Sequence, residues 1–132
     1  MKASCQCGQL TADLPGPTIA VVACHCIACQ RRTGSPFGLA AYYPHDQISV
    51  HGDAKRYDRK TDLDGIFENY FCPTCGSTVY FRGTKNPDVT GIAIGAIVDP
   101  HDMIPIRSVW EQSRHPWVSI TTALQHFDKG RV

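Results

Sequence analysis

Seven cysteines set the strongest constraint on how this chain of 132 residues can fold. They form three groups with short internal spacing: Cys5 and Cys7 before Gly8, then Cys24, Cys26 and Cys29, then Cys72 and Cys75 before Gly76. A chain of this length buries most of its apolar surface around one core without covalent cross-links, so the thiols need another explanation. Such spacing is typical of metal ligands, disulfide halves or reactive thiols.

Composition favours metal ligands over disulfides. The formal charge is +1 from 13 basic and 12 acidic side chains, and no run of Lys and Arg exceeds two residues, which argues against nucleic acid or an anionic membrane as the partner. The N-terminal MKASCQC lacks a signal-peptide core, and no apolar stretch could span a bilayer. We expect a cytoplasmic protein, in which cysteine clusters are more often metal-binding or catalytic than disulfide-bonded. An odd number of thiols also cannot pair completely within one chain.

Period-two alternation of apolar residues between closely spaced Gly, Pro, Asp and Asn predicts a mainly β fold. We expect one zinc-binding domain over residues 1–132, built of short antiparallel strands as a sandwich or rolled sheet with turns held by zinc. The predicted strands are residues 9–14, 19–24, 37–43, 48–50, 66–71, 78–81, 90–97 and 106–111.

Three shorter segments carry local signals. Residues 49–55 are predicted to form a hairpin with Gly52 at its tip. A helical turn is predicted over Ile27–Thr33, because this segment lacks Gly and Pro, ends in two arginines and meets Gly34 as a cap. A last short helix is predicted over residues 121–127.

The segment from Cys72 to Gly76 is the most specific metal signal. A C-x-x-C pair followed by Gly forms a tight turn whose backbone N–H groups point at the sulfurs, and Gly supplies the left-handed conformation. This turn offers two ligands, whereas structural zinc takes four. Cys5 and Cys7 point to one face of an extended segment, so the two pairs together predict a four-cysteine zinc site that joins the N-terminus to a distant hairpin.

Cys24, Cys26 and Cys29 remain for a second site. The first two share a face of an extended segment, and Cys29 returns to that face as the helical turn begins. Three thiolates with an open fourth position are the pattern of a catalytic zinc. His25 is an alternative fourth ligand, although its side chain points away from its two neighbours in an extended segment.

Two other interpretations of these three cysteines stay open. They could complete the structural site and leave Cys5 and Cys7 free. They could also be redox-active thiols without a metal, because an exposed thiol beside Arg31 and Arg32 has a depressed pKa.

Four motifs follow one another along the chain: CQCG at 5–8, CHCIACQRRTGSPF at 24–37, YFCPTCGS at 70–77 and WEQSRHPWV at 110–118. In this order they resemble the glutathione-dependent formaldehyde-activating enzyme (GFA) family, also called the centromere-protein-V type. Relatives often place Arg directly after the third cysteine of the middle group. This chain has Gln30 there, which puts an anion contact from that position in doubt.

The resemblance implies a fold, two metal ions and a reaction. The fold is the β-tent, a mostly antiparallel structure of several coiled sheets. The structural zinc ligands implied are Cys5, Cys7, Cys72 and Cys75, and the catalytic ones are Cys24, Cys26 and Cys29. The implied reaction is addition of the glutathione thiol to formaldehyde, which gives S-(hydroxymethyl)glutathione and is classed with the carbon–sulfur lyases. The implied partners are therefore a glutathione-like thiol and a small aldehyde.

Substrate contacts follow from position and residue type. Arg31 and Arg32, next to the second cysteine group, could pair with a carboxylate of a glutathione-like thiol or could only compensate the helix dipole. The aromatic residues that could wall a pocket or pack in the core are Phe37, Tyr42, Tyr43, Trp110 and Trp117. Arg114 and His115 form a polar pair that a surface turn explains adequately.

Two other functions are compatible with the same residues. One is a zinc-stabilised binding module without turnover, although the basic extension expected of such relatives is absent from the sequence. The other is a thiol-based redox protein or sensor that uses Cys24, Cys26 and Cys29.

Overall fold

Short strands in two sheets, together with one helix, make up the computed structural model, which describes residues 1–99 and 103–130. The strands are β1 Lys2–Ser4, β2 Thr11–Asp13, β3 Ala20–Cys24, β4 Gly38–Pro44, β5 Ser49–His51, β6 Lys55–Lys60, β7 Ile66–Phe71, β8 Thr78–Gly83, β9 Val89–Ala93, β10 Arg107–Val109 and β11 Gln125–His126. The helix is α1 Ile27–Thr33, and three 3-10 turns lie at His45–Gln47, Ile94–Ala96 and Glu111–Ser113.

The strands pair into a larger and a smaller sheet. The larger sheet has the order β11-β10-β3-β4-β9-β8-β7-β6, and the smaller one has the order β1-β2-β5. Most neighbours are antiparallel, which confirms the predicted mainly β class, but β10 pairs in parallel with both β3 and β11. The predicted strand over 90–97 ends at Ala93 in a 3-10 turn. The predicted strand over 106–111 ends at Val109 because Trp110 adopts a left-handed conformation with φ of 58°.

The larger sheet has one face in the main core and one face, called the open face here, that the main core does not cover. Cross-strand partners share a face, and one such row runs from Tyr42 to Gly91 to Phe81. The neighbouring row faces the other way, into the main core around Tyr43 and Ile92, which have no exposed surface. The row that includes Tyr42 therefore faces away from the core, toward α1.

Helix α1 has the predicted limits. Its N-cap is Cys26, whose sulfur accepts a hydrogen bond from the Cys29 N–H. Its C-cap is Gly34, with φ of 68° and a hydrogen bond from its N–H to the Gln30 carbonyl. Within the described ranges, no helix is long and apolar enough to cross a membrane.

Residues 49–55 do not form the predicted hairpin. β5 pairs with β2 in the smaller sheet and β6 pairs with β7 in the larger one, so the chain crosses between sheets at Gly52. Gly52 has φ of 95°, and a Cβ there would overlap the Gln9 carbonyl oxygen. The Gln9 amide donates to the Asp53 carbonyl at 2.6 Å and accepts from the Asp53 N–H at 3.0 Å. The turn residues therefore form a crossover between sheets.

The helix predicted over residues 121–127 is also wrong. The N–H of Leu124 donates to the Ile106 carbonyl at 2.8 Å, and the N–H of Phe127 donates to the Ser108 carbonyl at 2.9 Å. These bonds run to β10 and its flank, so the segment is used as a sheet edge and its backbone groups are not available to a helix.

Candidate functional site

The first and third cysteine groups meet in a compact cluster. The sulfurs of Cys5, Cys7, Cys72 and Cys75 all lie within 4.8 Å of one another. The Cys7 sulfur is 3.7 Å from that of Cys5 and 3.7 Å from that of Cys72. Ligands about 2.3 Å from a tetrahedral zinc ion are about 3.8 Å apart, whereas disulfide sulfurs are about 2.0 Å apart. The four sulfurs therefore fit a zinc ion, and all seven cysteines of the chain are unpaired.

Two similar turns build this closed cluster. The Gly8 N–H donates to the Cys5 carbonyl at 3.2 Å, and the Gly76 N–H donates to the Cys72 carbonyl at 2.8 Å. Both glycines are left-handed, with φ of 84° and 80°, a conformation that is strained for residues with a side chain. Each turn thus directs its cysteines toward the same point from a different part of the chain.

Hydrogen-bond donors surround the sulfurs of the Cys72 turn. The N–H groups of Thr74 and Cys75 lie 3.4 Å and 3.5 Å from the Cys72 sulfur, and the Gln9 amide lies 3.1 Å from it. Although burial opposes charge on Cys72, these donors lower the pKa of its thiol. The Ser77 hydroxyl, 3.4 Å from the Cys75 sulfur, is the main cause that lowers the pKa of Cys75 to about 5. Cys72 and Cys75 thus favour the thiolate, which is the form that binds metal. A backbone hydrogen bond at Gln9 lowers the pKa of Cys7, but burial and hydrogen bonds with the other thiols outweigh it and raise that pKa to about 11.

The middle cysteine group forms a second, separate cluster. Cys24 ends β3, Cys26 caps α1, and Cys29 lies in the first turn of α1. Their three sulfurs also lie within 4.8 Å of one another. Hydrogen bonds from the Cys24 and Cys29 thiols, together with the Cys29 N–H at 3.3 Å, lower the pKa of Cys26 to about 2. Without a metal, this open cluster therefore carries its first negative charge on Cys26.

The side chain of His25 points away from the open cluster. It is fully buried, and its Nε2 lies 2.9 Å from the Ser108 hydroxyl. Its ring packs against Phe37, with 5.7 Å between ring centroids. The structure thus groups three cysteines without His25, and burial lowers the pKa of the imidazole.

A cavity of about 440 Å³ opens beside Cys24, Cys26 and Cys29. It lies between α1, the open face of the larger sheet, and the segments that follow β6 and β10. This volume is in the range of small-molecule sites. The aromatic and charged residues on its walls are Tyr42, Phe67, Phe81, Trp110, Arg32, Arg59 and Asp62.

Two glycines make room for the larger side chains of the cavity. A Cβ at Gly38 would lie 2.7 Å from Nη2 of Arg32. A Cβ at Gly91 would lie 2.8 Å from Cδ2 of Phe81 and 3.1 Å from Cε1 of Tyr42. The Phe81 ring therefore lies directly on the bare backbone of Gly91, and the Arg32 guanidinium occupies the space beside Gly38.

The two arginines predicted to contact substrate have different positions. Arg32 lines the cavity, and its guanidinium lies 4.8 Å from the centroid of the Phe81 ring. Its buried Nε has no hydrogen-bond partner in the described part of the chain. Arg31 is exposed and lines a separate, shallower depression with Gln30 and His115. Only Arg32 of this pair faces the open cluster.

The five predicted aromatic residues are also divided. Tyr42 and Trp110 line the cavity. Tyr43 is in the main core, Phe37 packs against a smaller core cluster, and Trp117 is 74% exposed. Burial and the nearby thiols of the open cluster raise the pKa of Tyr42 to about 12, so its phenol keeps its proton even in alkaline solution.

Gln30 has a structural role in this chain. Its amide donates to the carbonyls of His25 and Ser113, at 2.9 Å and 3.1 Å, and its Oε1 lies 3.0 Å from Nε2 of His115. Arg114 donates to carbonyls within its own loop. Gln30 thus joins α1 to the loop that carries Arg114 and His115.

One wall of the cavity is not predicted from the sequence. Arg59 and Phe67 face each other across β6 and β7, and β6 itself was not predicted. The available signal was Asp64-Gly65, a dipeptide typical of hairpin turns. Asp64 adopts φ of 59°, and the Thr61 N–H donates to the Gly65 carbonyl at 2.9 Å to close the turn.

The chain is similar to known proteins in sequence and in fold. Residues 1–113 match the family model described as "Glutathione-dependent formaldehyde-activating enzyme". A Penicillium rubens protein, provisionally named as such an enzyme, is 26% identical over 102 residues, which are 71% of this chain and 53% of that protein. The chain thus spans about half the length of this curated relative. A crystal structure of a Rhodobacter sphaeroides protein matches with a TM-score of 0.63 at 24% identity, over 83% of this chain and 100% of that one, which supports the fold.

Proposed function

Because the chain belongs to the glutathione-dependent formaldehyde-activating enzyme family, we propose that it adds a glutathione-like thiol to formaldehyde or another small aldehyde. The product class is S-(hydroxymethyl)glutathione, and the enzyme class is carbon–sulfur lyase. The observation that carries the proposal is the contrast between two clusters: four sulfurs close one site, whereas three sulfurs face a cavity of about 440 Å³.

We propose one structural zinc ion on Cys5, Cys7, Cys72 and Cys75 and one catalytic zinc ion on Cys24, Cys26 and Cys29. When bound at the second site, zinc favours the thiolate form of a thiol and polarises an aldehyde oxygen. The cavity holds both substrates next to the three sulfurs, which replaces a bimolecular encounter with an oriented one.

Tyr42 completes the chemistry in this proposal. Addition forms a bond between the thiol sulfur and the aldehyde carbon, breaks the carbon–oxygen π bond, and moves the thiol proton to that oxygen. A tyrosine phenol is protonated at neutral pH even at its ordinary pKa, and burial raises the pKa of Tyr42 further, so it can donate a hydrogen bond to the oxygen that gains charge. It also lines the same cavity as the three cysteines.

Exchange NMR on the zinc-loaded protein tests this function. We expect the protein to speed interconversion of glutathione, formaldehyde and their adduct beyond the rate in buffer, and Cys26→Ser to remove the acceleration. Elemental analysis should give more than one zinc per chain when the protein is prepared without chelator or oxidant. A rate equal to that of buffer across a panel of thiols and aldehydes would favour the alternative of a binding module without turnover.

The redox alternative depends on the same cluster without metal. Its Cys26 thiol has a strongly lowered pKa, which favours oxidation of an accessible sulfur. Intact-mass analysis after mild peroxide separates the two functions: an unchanged mass at Cys24, Cys26 and Cys29 supports the zinc enzyme, and rapid oxygen addition supports a sensor.

We also propose that residues 1–132 are one domain in the cytoplasm. Val118 and Ile120, beyond the family match, pack against Ala23 of β3. The predicted limit at 132 lies outside the described residues. Seven unpaired cysteines favour a reducing compartment.

A further inference from the structure

We propose that Arg32 and Arg59 together bind a carboxylate and make the cavity selective for an acidic co-substrate. The proposal rests on the proposed function, since it names the substrate class of the same cavity. It assigns a binding role to Arg59 of β6. This residue lies in none of the four sequence motifs, and the cysteine spacing gives no indication of such a role.

The two guanidiniums lie on a stacked pair of phenylalanine rings. Phe67 and Phe81 are 5.1 Å apart between centroids and inclined by 30°. Arg59 lies 4.6 Å from the Phe67 centroid, and Arg32 lies 4.8 Å from the Phe81 centroid. Adjacent rings therefore hold the two cations in one cavity, and stacking leaves the N–H edges of a guanidinium available to a carboxylate.

Among the described residues, neither Arg32 nor Arg59 forms an ion pair with a carboxylate. Side chains alternate along β6, so Arg56 points to the opposite face from Arg59. There Arg56 pairs with Asp58 at 3.0 Å and with Glu68 at 3.4 Å. One strand thus carries a neutralised arginine on one face and an arginine that lines the cavity on the other.

Charge balance at the metal is a competing explanation for the presence of two arginines in the cavity. Three thiolates and one divalent metal ion leave a single negative charge, and two guanidiniums exceed it. Asp62 is exposed at the cavity wall and supplies another negative charge. If the arginines only balanced these charges, an added carboxylate would gain little. If they bind a carboxylate, removing Asp62 should strengthen the binding.

Binding of a ligand without a free thiol tests the pair separately from catalysis. The probe is S-methylglutathione, with its diethyl ester as the neutralised comparison, titrated calorimetrically into the zinc-loaded protein. We expect Arg59→Gln and Arg32→Gln each to weaken binding of the acid about tenfold or more, as for lost charge-assisted hydrogen bonds. The ester should bind weakly to all variants. Asp62→Asn should bind the acid more tightly.

Arg56→Gln is the matched control, because it removes the same charge from the same strand on the other face. It should leave acid binding unchanged. Equal binding of acid and ester, or equal losses in Arg56→Gln and Arg59→Gln, would overturn the proposal. Acid-selective binding without rate acceleration would instead retain the carboxylate site and reject the proposed function, so the two failures are distinct.

Rate measurements then identify which substrate carries the carboxylate. One arm compares 3-mercaptopropionate with 2-mercaptoethanol, each with formaldehyde. The other compares glyoxylate with acetaldehyde, each with 2-mercaptoethanol. We expect Arg59→Gln to lower kcat/KM for the acidic member of one pair about tenfold and to spare the neutral member. Equal losses for acidic and neutral members in both arms would contradict a carboxylate site.

Discussion

At the scale of single residues, Tyr42 combines a position on the cavity wall with a phenol that keeps its proton. Tyr42→Phe removes one hydroxyl and preserves the ring that packs edge-on against Phe81. We therefore expect the catalysed rate to fall about a hundredfold with little change in thermal stability. Exchange NMR should show the loss of rate, whereas calorimetry should show unchanged binding of S-methylglutathione. A parallel loss of ligand affinity would mean that the hydroxyl serves binding.

The pair of Glu111 and His126 gives a pH dependence at the same scale. His126 Nδ1 lies 2.8 Å from Glu111 Oε2, and this hydrogen bond raises the pKa of His126 above its ordinary 6.5. Burial opposes charge on Glu111, but hydrogen bonds from His126 and Ser108 lower its pKa below 4.5. The ionised Glu111 carboxylate contributes its full stabilisation above its unfolded pKa, and this stabilisation is lost as pH falls through the folded pKa. The His126 imidazolium contributes its full stabilisation below its unfolded pKa, and this is lost as pH rises through the folded pKa.

Both contributions coexist between pH values of about 4.5 and 6.5. We expect the stability difference between the wild type and Glu111→Gln to be largest near pH 6 and to decline as pH rises through the folded pKa of His126. Urea unfolding at pH 6 and pH 9 measures it. A difference that is the same at both values would show that this pair contributes nothing by charge.

At the scale of elements, the open face of the larger sheet depends on Gly91. Its substitution by Ala would push a Cβ into the Phe81 ring, so we expect a loss of about 1–3 kcal/mol and a displaced ring. Gly83→Ala is the control, because it lies in β8 on the same face as Phe81 and a Cβ there meets nothing within 4 Å. Unfolding free energies of both variants test this, and equal values would contradict it.

A double variant tests the physical reason. Phe81→Leu removes the ring edge that the new Cβ would contact. The combined Gly91→Ala and Phe81→Leu variant should therefore lose less stability than the sum of the two single variants. Strict additivity would mean that the cost of Gly91→Ala does not arise at Phe81.

The elements also show which features could be predicted. Helix α1 and both cysteine turns depend on residues within a few positions of each other, so Gly34 and Gly76 mark them in the sequence. The crossover at Gly52 depends on contact with Gln9, which is distant in sequence. A local pattern cannot distinguish such a crossover from a hairpin. The cavity wall at Arg59 was missed for a related reason, because its role follows from sheet register.

At the scale of the whole molecule, the two cysteine clusters differ in how much chain they hold together. The closed cluster joins Cys5 and Cys7 to Cys72 and Cys75, and therefore connects the start of the chain to the β7–β8 turn. The open cluster uses Cys24, Cys26 and Cys29, which are near one another in sequence. Ligands that close a long loop restrict the unfolded chain more than ligands that close a short one.

Loss of one ligand should therefore have different consequences at the two clusters. Cys72 is fully buried, and metal binding at such a site is also folding free energy. We expect Cys72→Ser to lose about 3 kcal/mol or more, which lowers Tm by about 10 °C, or to fail to fold. Cys26→Ser should lose the second zinc ion and the activity and retain most of the stability. A mild chelator should also remove zinc from the open cluster first, because its fourth position is exchangeable. Thermal melts and zinc release on both variants measure this, and the assignment of the two roles fails if Cys26→Ser unfolds the protein while Cys72→Ser melts like the wild type.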